Sequence, residues 1–168
     1  RERLTRFWSN HFAVSLDKRA AALYAVPMER EVIRPLIGGR YEDLLIAVAR
    51  HPAMLRYLDN VASIGADSPL ATRQKARSKN NRKLGLNENL AREILELHTL
   101  GVDGGYTQND VTEFARALTG WSVPRPRQLA EKTPKAAFEF YEQAHQPGTR
   151  TVLGRRYAEN GEAQARSI

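Results

Sequence analysis

The sequence predicts a mainly α-helical, bundle-like domain with a small β-hairpin near the C-terminus. Apolar residues recur at spacings of three and four along most of the first 120 positions, the mark of helices with one buried face. Glycine and proline fall at the ends of those stretches rather than inside them. Beyond Ser122 the composition changes, and Pro124, Pro126 and Pro134 forbid a continuous helix.

Leu4, Phe7, Trp8, His11 and Phe12 form an aromatic stripe on a first helix, already under way where the sequence opens. The chain therefore reads as an interior piece of something longer. Asp17 to Ala25 is an alanine-rich helical stretch, and Val26-Pro27 begins another, with Pro27 suited to a first turn and Glu29 and Glu31 near its positive end. Gly38-Gly39 stops it. Tyr41 to Arg50 is a helix whose apolar face carries Leu44, Leu45 and Val48. His51-Pro52 breaks it, with His51 at the negative end of its dipole, and Pro52 starts a short helix to about Leu58. Asn87 caps a helix running to Leu100, which Gly101 ends. After the turn Asp103-Gly104-Gly105, Thr107 and Asp110 resemble a capping box ahead of Val111, Phe114, Ala115 and Leu118, and Gly120 closes that helix. Phe138–Tyr141 has no helical stripe, and Gln146-Pro147-Gly148 reads as the hairpin turn before Thr151–Gly154. The organisation is one helical domain over 1–168: N-terminal helices in 1–66, a basic loop in 71–86, a helix pair in 87–120, and a proline-containing segment with the hairpin in 122–168.

The net charge of +7 belongs to one segment. Between Ala71 and Leu86 stand Arg73, Lys75, Arg77, Lys79, Arg82 and Lys83 with no acidic residue; without these six, 20 basic residues face 19 acidic ones. With almost no apolar residue, this stretch reads as an exposed loop, and Arg73, Lys75, Arg77 and Lys79 are candidate contacts for an anionic polymer. No aromatic residue is interleaved for base stacking, which disfavours nucleic acid. The absence of cysteine excludes disulfides, thiol nucleophiles and cysteine-held metals. No apolar run is long enough to cross a membrane.

No local signature of catalysis is present, whether a phosphate-binding loop, a nucleophile elbow or a paired-histidine zinc motif. The loop Asp103–Asp110 resembles only the second half of an EF-hand calcium loop, whose first two ligand positions would fall on Thr99 and Gly101. No cofactor is indicated. The segment Asn87–Leu100 is densely polar. At about 100° per residue, Asn89, Arg92, Glu93 and Glu96 share one face, while Leu90, Ile94, Leu97 and His98 share the other. Glu93, Glu96 and His145 are candidate acid–base groups; His11 and Glu93 are candidate metal ligands. Asn87, Glu88, Asn89 and Arg92 are candidate binding residues. His98 reads as a core histidine, and Trp8 and Trp121 as core or interface anchors. His11, Glu93 and His145 converging on one cleft would favour an enzyme, a hydrolytic one, metal-assisted or not. Carboxylates consumed by arginines would favour a binding or scaffold module.

Several stretches carry a resemblance: Phe7–Phe12 (FWSNHF), Tyr41–Leu45, His51–Leu55, Asn87–Leu97 (NENLAREILEL), Thr99–Val102, Asp110-Val111 and Ala115–Trp121 (ARALTGW). Together, in this order, they resemble the bacterial family named domain of unknown function 1800. The resemblance implies a longer parent chain and a periplasmic or secreted location, since members are often exported. It also implies a neighbourhood shared with a second family resembling sulfatase-like enzymes. The basic loop and the lack of a local catalytic signature favour an envelope binding or scaffold module, acting with a partner protein or anionic polymer, over the hydrolytic enzyme. The family's polar positions fall here on His11, Asn87, Glu88, Asn89, Arg92, Glu93, Glu96 and His145. Where the family commonly has His-Asp, this chain has His145-Gln146, and His98 stands where an aromatic residue is common.

Overall fold

The computed structural model describes residues 1–77, 85–124 and 138–168. Helix α1 (Glu2–His11) leads to α2 (Arg19–Met28), which continues without a break into a π-turn (Glu29–Ile33) and α3 (Arg34–Leu36). Then come α4 (Tyr41–Arg50), α5 (Pro52–Tyr57), a 3-10 turn (Asn60–Ala62) and α6 (Pro69–Arg77). Helix α7 (Asn89–Glu93) runs directly into a second π-turn (Ile94–Thr99), and α8 (Gln108–Leu118) follows. Two short antiparallel pairs complete the chain: β1 (Trp121–Ser122) with β2 (Glu139–Phe140), and β3 (Arg150–Val152) with β4 (Arg155–Tyr157), before α9 (Glu162–Ser167).

The core gathers one apolar stripe from each principal helix. Phe12, Ile33, Leu44, Val48, Met54, Leu55, Leu90, Val111, Leu118 and Val152 are all essentially buried in one cluster. Two buried polar residues stitch elements together where backbone carbonyls would otherwise go unpaired. Asn60 donates from Nδ2 to the carbonyls of Leu118 (3.1 Å) and Trp121 (2.8 Å). Gln164 donates from Nε2 to those of Gly148 and Ala158, both at 3.0 Å. Such bonds matter because a buried carbonyl left without a donor costs about 1–3 kcal/mol.

Several local expectations need correction. Pro27 does not start a helix: it lies inside α2, and the ladder closes around it as Glu29 donates to Ala25 and Val26. Its missing N–H costs little here, because Leu23, the residue that would have received it, is largely exposed. Residues 71–77 are not loop, since α6 runs to Arg77 and packs on the 3-10 turn Glu142–Ala144. Residues 78–84 lie outside the described residues. His51 ends α4, its N–H donating to the Val48 carbonyl at 3.0 Å, and also caps the start of α5, where its Nδ1 accepts from the Ala53 N–H at 3.2 Å. The C-terminal hairpin turns about Leu153-Gly154, both at positive φ, rather than about Gln146-Pro147-Gly148. That conformation matches a two-residue hairpin turn whose twist suits the strands. Phe140 pairs with Trp121 instead, and α9 was not foreseen.

The capping box is as read: Thr107 Oγ1 accepts from the Asp110 N–H at 3.2 Å, and Asp110 Oδ2 accepts from the Thr107 N–H at 2.7 Å. The other carboxylate oxygen of Asp110 accepts from the Leu153 N–H at 2.7 Å, fixing the hairpin tip to the start of α8. These bonds, those to Thr107 first, hold the Asp110 carboxyl below its ordinary range.

Candidate functional site

The polar helix divides its residues between two kinds of surroundings. Asn87 Oδ1 accepts from the Asn89 N–H at 2.8 Å, so Asn87 is a start signal for α7, while Asn89 is exposed. Leu86, Asn87, Glu88 and Asn89 line a shallow, open depression together with Ala62 and Gly85. From Glu88 onward the charges close on themselves. Arg92 donates to Glu96 (2.8 Å), Glu88 (3.3 Å) and the side-chain oxygen of Gln108 (2.7 Å). Glu88 also accepts from the Thr112 hydroxyl at 2.7 Å and from Gln108 at 2.8 Å. The hydrogen bond from Thr112, above all, keeps Glu88 below the ordinary carboxylate range, and Glu96 raises Arg92. Glu88, Arg92 and Glu96 therefore tie α7 to α8. Gln108 and Thr112, which complete this network, carried no distinguishing signal in the sequence.

Glu93 is placed differently. At α-helical pitch it and His98 fall on different faces, as the sequence reading had them. The π-turn pairs i with i−5 rather than i−4, visible where the Leu100 N–H donates to Leu95 at 2.9 Å, and so brings residues five apart nearly into line. His98 Nε2 stands 4.0 Å from Glu93 Oε1, with the Glu93 side chain one-quarter exposed and that of His98 buried. The same change of pitch turns Leu97 out to solvent, 56% exposed, against its expected place on the apolar face. His98 is a core histidine as expected, edge-on to Phe12 at 4.8 Å, and its ring is 5.5 Å from that of His11. His11 Nε2 lies 3.4 Å from the Tyr41 hydroxyl, which itself donates to the His98 carbonyl. Tyr41 thus belongs to the site, although the sequence marked it only as the start of a helix.

The electrostatics of this group diverge. Burial, and then the charge of Glu96, raises Glu93 above the usual carboxylate range. Burial, and then His11, pushes His98 down to about 4. A carboxyl raised by burial beside an imidazole lowered by burial is a divergence from which acid–base roles can be drawn.

His145 lies apart from this group, among Thr119, Phe140 and Glu159. Its Nδ1–H donates to the Thr119 carbonyl at 2.9 Å, and Nε2 is buried 3.3 Å from Glu159 Oε1, at ion-pair distance but out of hydrogen-bond alignment. It is 5% exposed rather than projecting into a cleft. Gln146 beside it spans Asp67, donating from Nε2 to Oδ2 (2.9 Å) and accepting from the Asp67 N–H (3.0 Å). An aspartate at 146 would set its carboxylate against that of Asp67, which gives a physical reason for glutamine there. Glu93 and His11 each neighbour His98, while His145 packs among other residues. Among the described residues no cluster of three His, Asp or Glu is arranged to hold a metal ion. A cleft of about 320 Å³ opens elsewhere, between α4, the second π-turn, α8 and α9, with walls such as Leu118, Trp121 and Ala165.

Of the candidate cations, Arg73 and Lys75 stand exposed on α6. The Arg77 side chain, Lys79, Arg82 and Lys83 lie outside the described residues. Trp121 is a buried anchor and Trp8 a partly buried one. Among the described residues no helix is long and apolar enough to cross a membrane.

The fold is a mainly α-helical domain with Glu93, His98 and His11 placed side by side where α7 passes into a π-turn. The chain belongs to the family described as protein of unknown function (DUF1800), whose model matches residues 1–168. Searches of curated proteins and of solved structures found no match.

Proposed function

We propose that this chain is an envelope binding module, periplasmic or secreted, whose basic helix α6 docks an anionic polymer. One observation carries the reading: Arg73 and Lys75, the two cations of α6 whose side chains are described, end on neutral partners. Arg73 donates to the side-chain oxygen of Gln143 at 2.8 Å, and Lys75 to the Ala66 carbonyl at 3.0 Å. Arg34, Arg92, Arg116 and Arg150 all end on carboxylates. The charge of Arg73 and Lys75 is therefore not met by a carboxylate among the described residues, and the sequence between 71 and 86 holds no acidic residue. Such an array gains affinity by releasing counterions from a polyanion. The location follows the exported habit of the family.

The test is heparin affinity at several salt concentrations. Changing Arg73→Gln and Lys75→Gln together should weaken binding and lower the slope of log K against log[salt] by about two, roughly one per lost contact. An unchanged slope would remove α6 as the docking face.

A further inference from the structure

A second cavity, about 220 Å³, opens between α5, the 3-10 turn Asn60–Ala62, the start of α6 and β1. It exceeds the roughly 150 Å³ that admits a benzene ring and falls short of the roughly 300 Å³ at which drug-sized sites begin, so it has room for one small ring. Ile64, Leu70 and Val123 give it apolar walls. Arg56 and Asn60 line the same cavity, and both carry polar atoms that the fold leaves unused.

Asn60 is 2% exposed. Its Nδ2 gives both hydrogens away, to the carbonyls of Leu118 and Trp121. Those two bonds fix the amide, because turning it over would set its oxygen against two carbonyl oxygens. Oδ1 is therefore held as an acceptor, and among the described residues no donor meets it. Arg56 is half-buried on α5, with its guanidinium braced over the Tyr24 ring, 5.6 Å from the ring centre. Among the described residues it meets no carboxylate, and its Nε is buried without an acceptor. It is also the one charged residue among the described walls. A single negative charge balances it, as a carboxylate supplies and a phosphate dianion exceeds. Ser63, a third polar wall, accepts at Oγ from the Asn87 N–H at 3.0 Å, which leaves its own proton to donate.

We propose that this cavity binds one sugar acid of the hexuronate class, with its carboxylate on the Arg56 guanidinium and a ring hydroxyl donating to Asn60 Oδ1. The match is one of complementary groups. A guanidinium fork takes a carboxylate with two parallel bonds. Hydroxyls both give and accept, so one meets the fixed acceptor at Asn60 and another the donor at Ser63. The C–H face of the ring lies against Ile64, Leu70 and Val123, with the few polar groups setting its orientation. Leu70 belongs to α6, so the cavity adjoins the helix that carries Arg73 and Lys75. The assignment rests on Arg56 and Asn60 and does not depend on docking of a polymer along that helix.

Glucuronate and galacturonate are the probes, with glucose, galactose and acetate beside them, titrated against the chain by calorimetry. The fluorescence of Trp121, which lines the cavity, is a second readout. At least one of the two acids should bind at one site per chain with Kd below about 1 mM. The neutral sugars lack the charge and acetate lacks the hydroxyls, so each should bind at least about tenfold more weakly. Arg56→Gln should weaken the acid by about 10–100-fold. Arg56→Lys, which keeps the charge without the fork, should recover part of that loss, and it carries the comparison if Arg56→Gln melts early. Changing Arg73→Gln and Lys75→Gln together should leave the affinity for the single sugar unchanged. No saturable binding of either acid up to about 10 mM overturns this site and leaves the α6 reading intact. Equal binding of acetate overturns the sugar, equal binding of glucose or galactose overturns the carboxylate, and undiminished affinity in the Arg56 variants overturns the placement.

Discussion

Acidification from about pH 6.5 to about pH 4 should destabilise the chain by about 3 kcal/mol through His98 alone. The sign follows from linkage. His98 is buried and holds its proton only below about 4, whereas in the unfolded chain it binds one near its ordinary 6.5. Between those values the unfolded state carries the extra proton, so stability rises with pH across the window and is lost as pH falls. His51, lowered chiefly by burial against the opposing pull of Glu31, adds in the same direction. Glu93, raised in the fold, acts with the opposite sign and offsets part of the loss. For a chain of this size the His98 effect corresponds to a fall in Tm of roughly 6–12 °C, read by thermal melts at several pH values. In His98→Gln most of that slope should disappear even if the variant is less stable at neutral pH. An equal slope in the variant would mean that His98 is not the buried neutral group described.

Gly65→Ala should be strongly destabilising, by about 3 kcal/mol. A methyl group there would stand 2.6 Å from both Cα and Cβ of Gln146 and 2.7 Å from its nitrogen. Backbone cannot swing aside as a flexible side chain can, and overpacking of this kind costs about 1–3 kcal/mol or more. The contact cannot open without cost, because the Gly65 N–H donates to Ala144 at 2.9 Å and Gln146 grips Asp67 on both sides. Gly38→Ala is the matched comparison: nothing lies within 4 Å of its new methyl group, so it should be neutral or slightly stabilising. Denaturant melts of the two variants decide the matter, and equal stabilities would mean that the 65–146 contact yields.

What could be read from the sequence was local chemistry. The Thr107–Asp110 box, the stop at Gly120 and the break at His51-Pro52 depend on residues a few positions apart, and each stands where it was expected. What could not be read was any change of helical pitch. Both π-turns follow directly on α-helical segments, and at a fixed 100° per residue Glu93 and His98 fall on different faces and Leu97 faces inward. A one-step shift in bonding reverses those relations, and with them the location of the candidate site. Helix α6 was missed for another reason. Its only well-buried apolar residue is Ala71, and its support comes from residues some 70 positions away, such as Gln143. Strand pairing failed similarly, since Phe140 chose Trp121 across a long separation while the nearer Gln146-Pro147-Gly148 turn went unused.

Asp110 gives the molecule a mechanical coupling. One carboxylate oxygen closes the first turn of α8, and the other holds the Leu153 N–H at the hairpin tip. The β3–β4 ribbon therefore cannot lift away without also fraying the start of α8, although the two are more than forty residues apart in the chain. Segments joined in this way open as one cooperative unit. In deuterated solvent the amides of Asp110 and Leu153 should exchange through the same opening, at closely similar free energies, and in Asp110→Asn both should be released together.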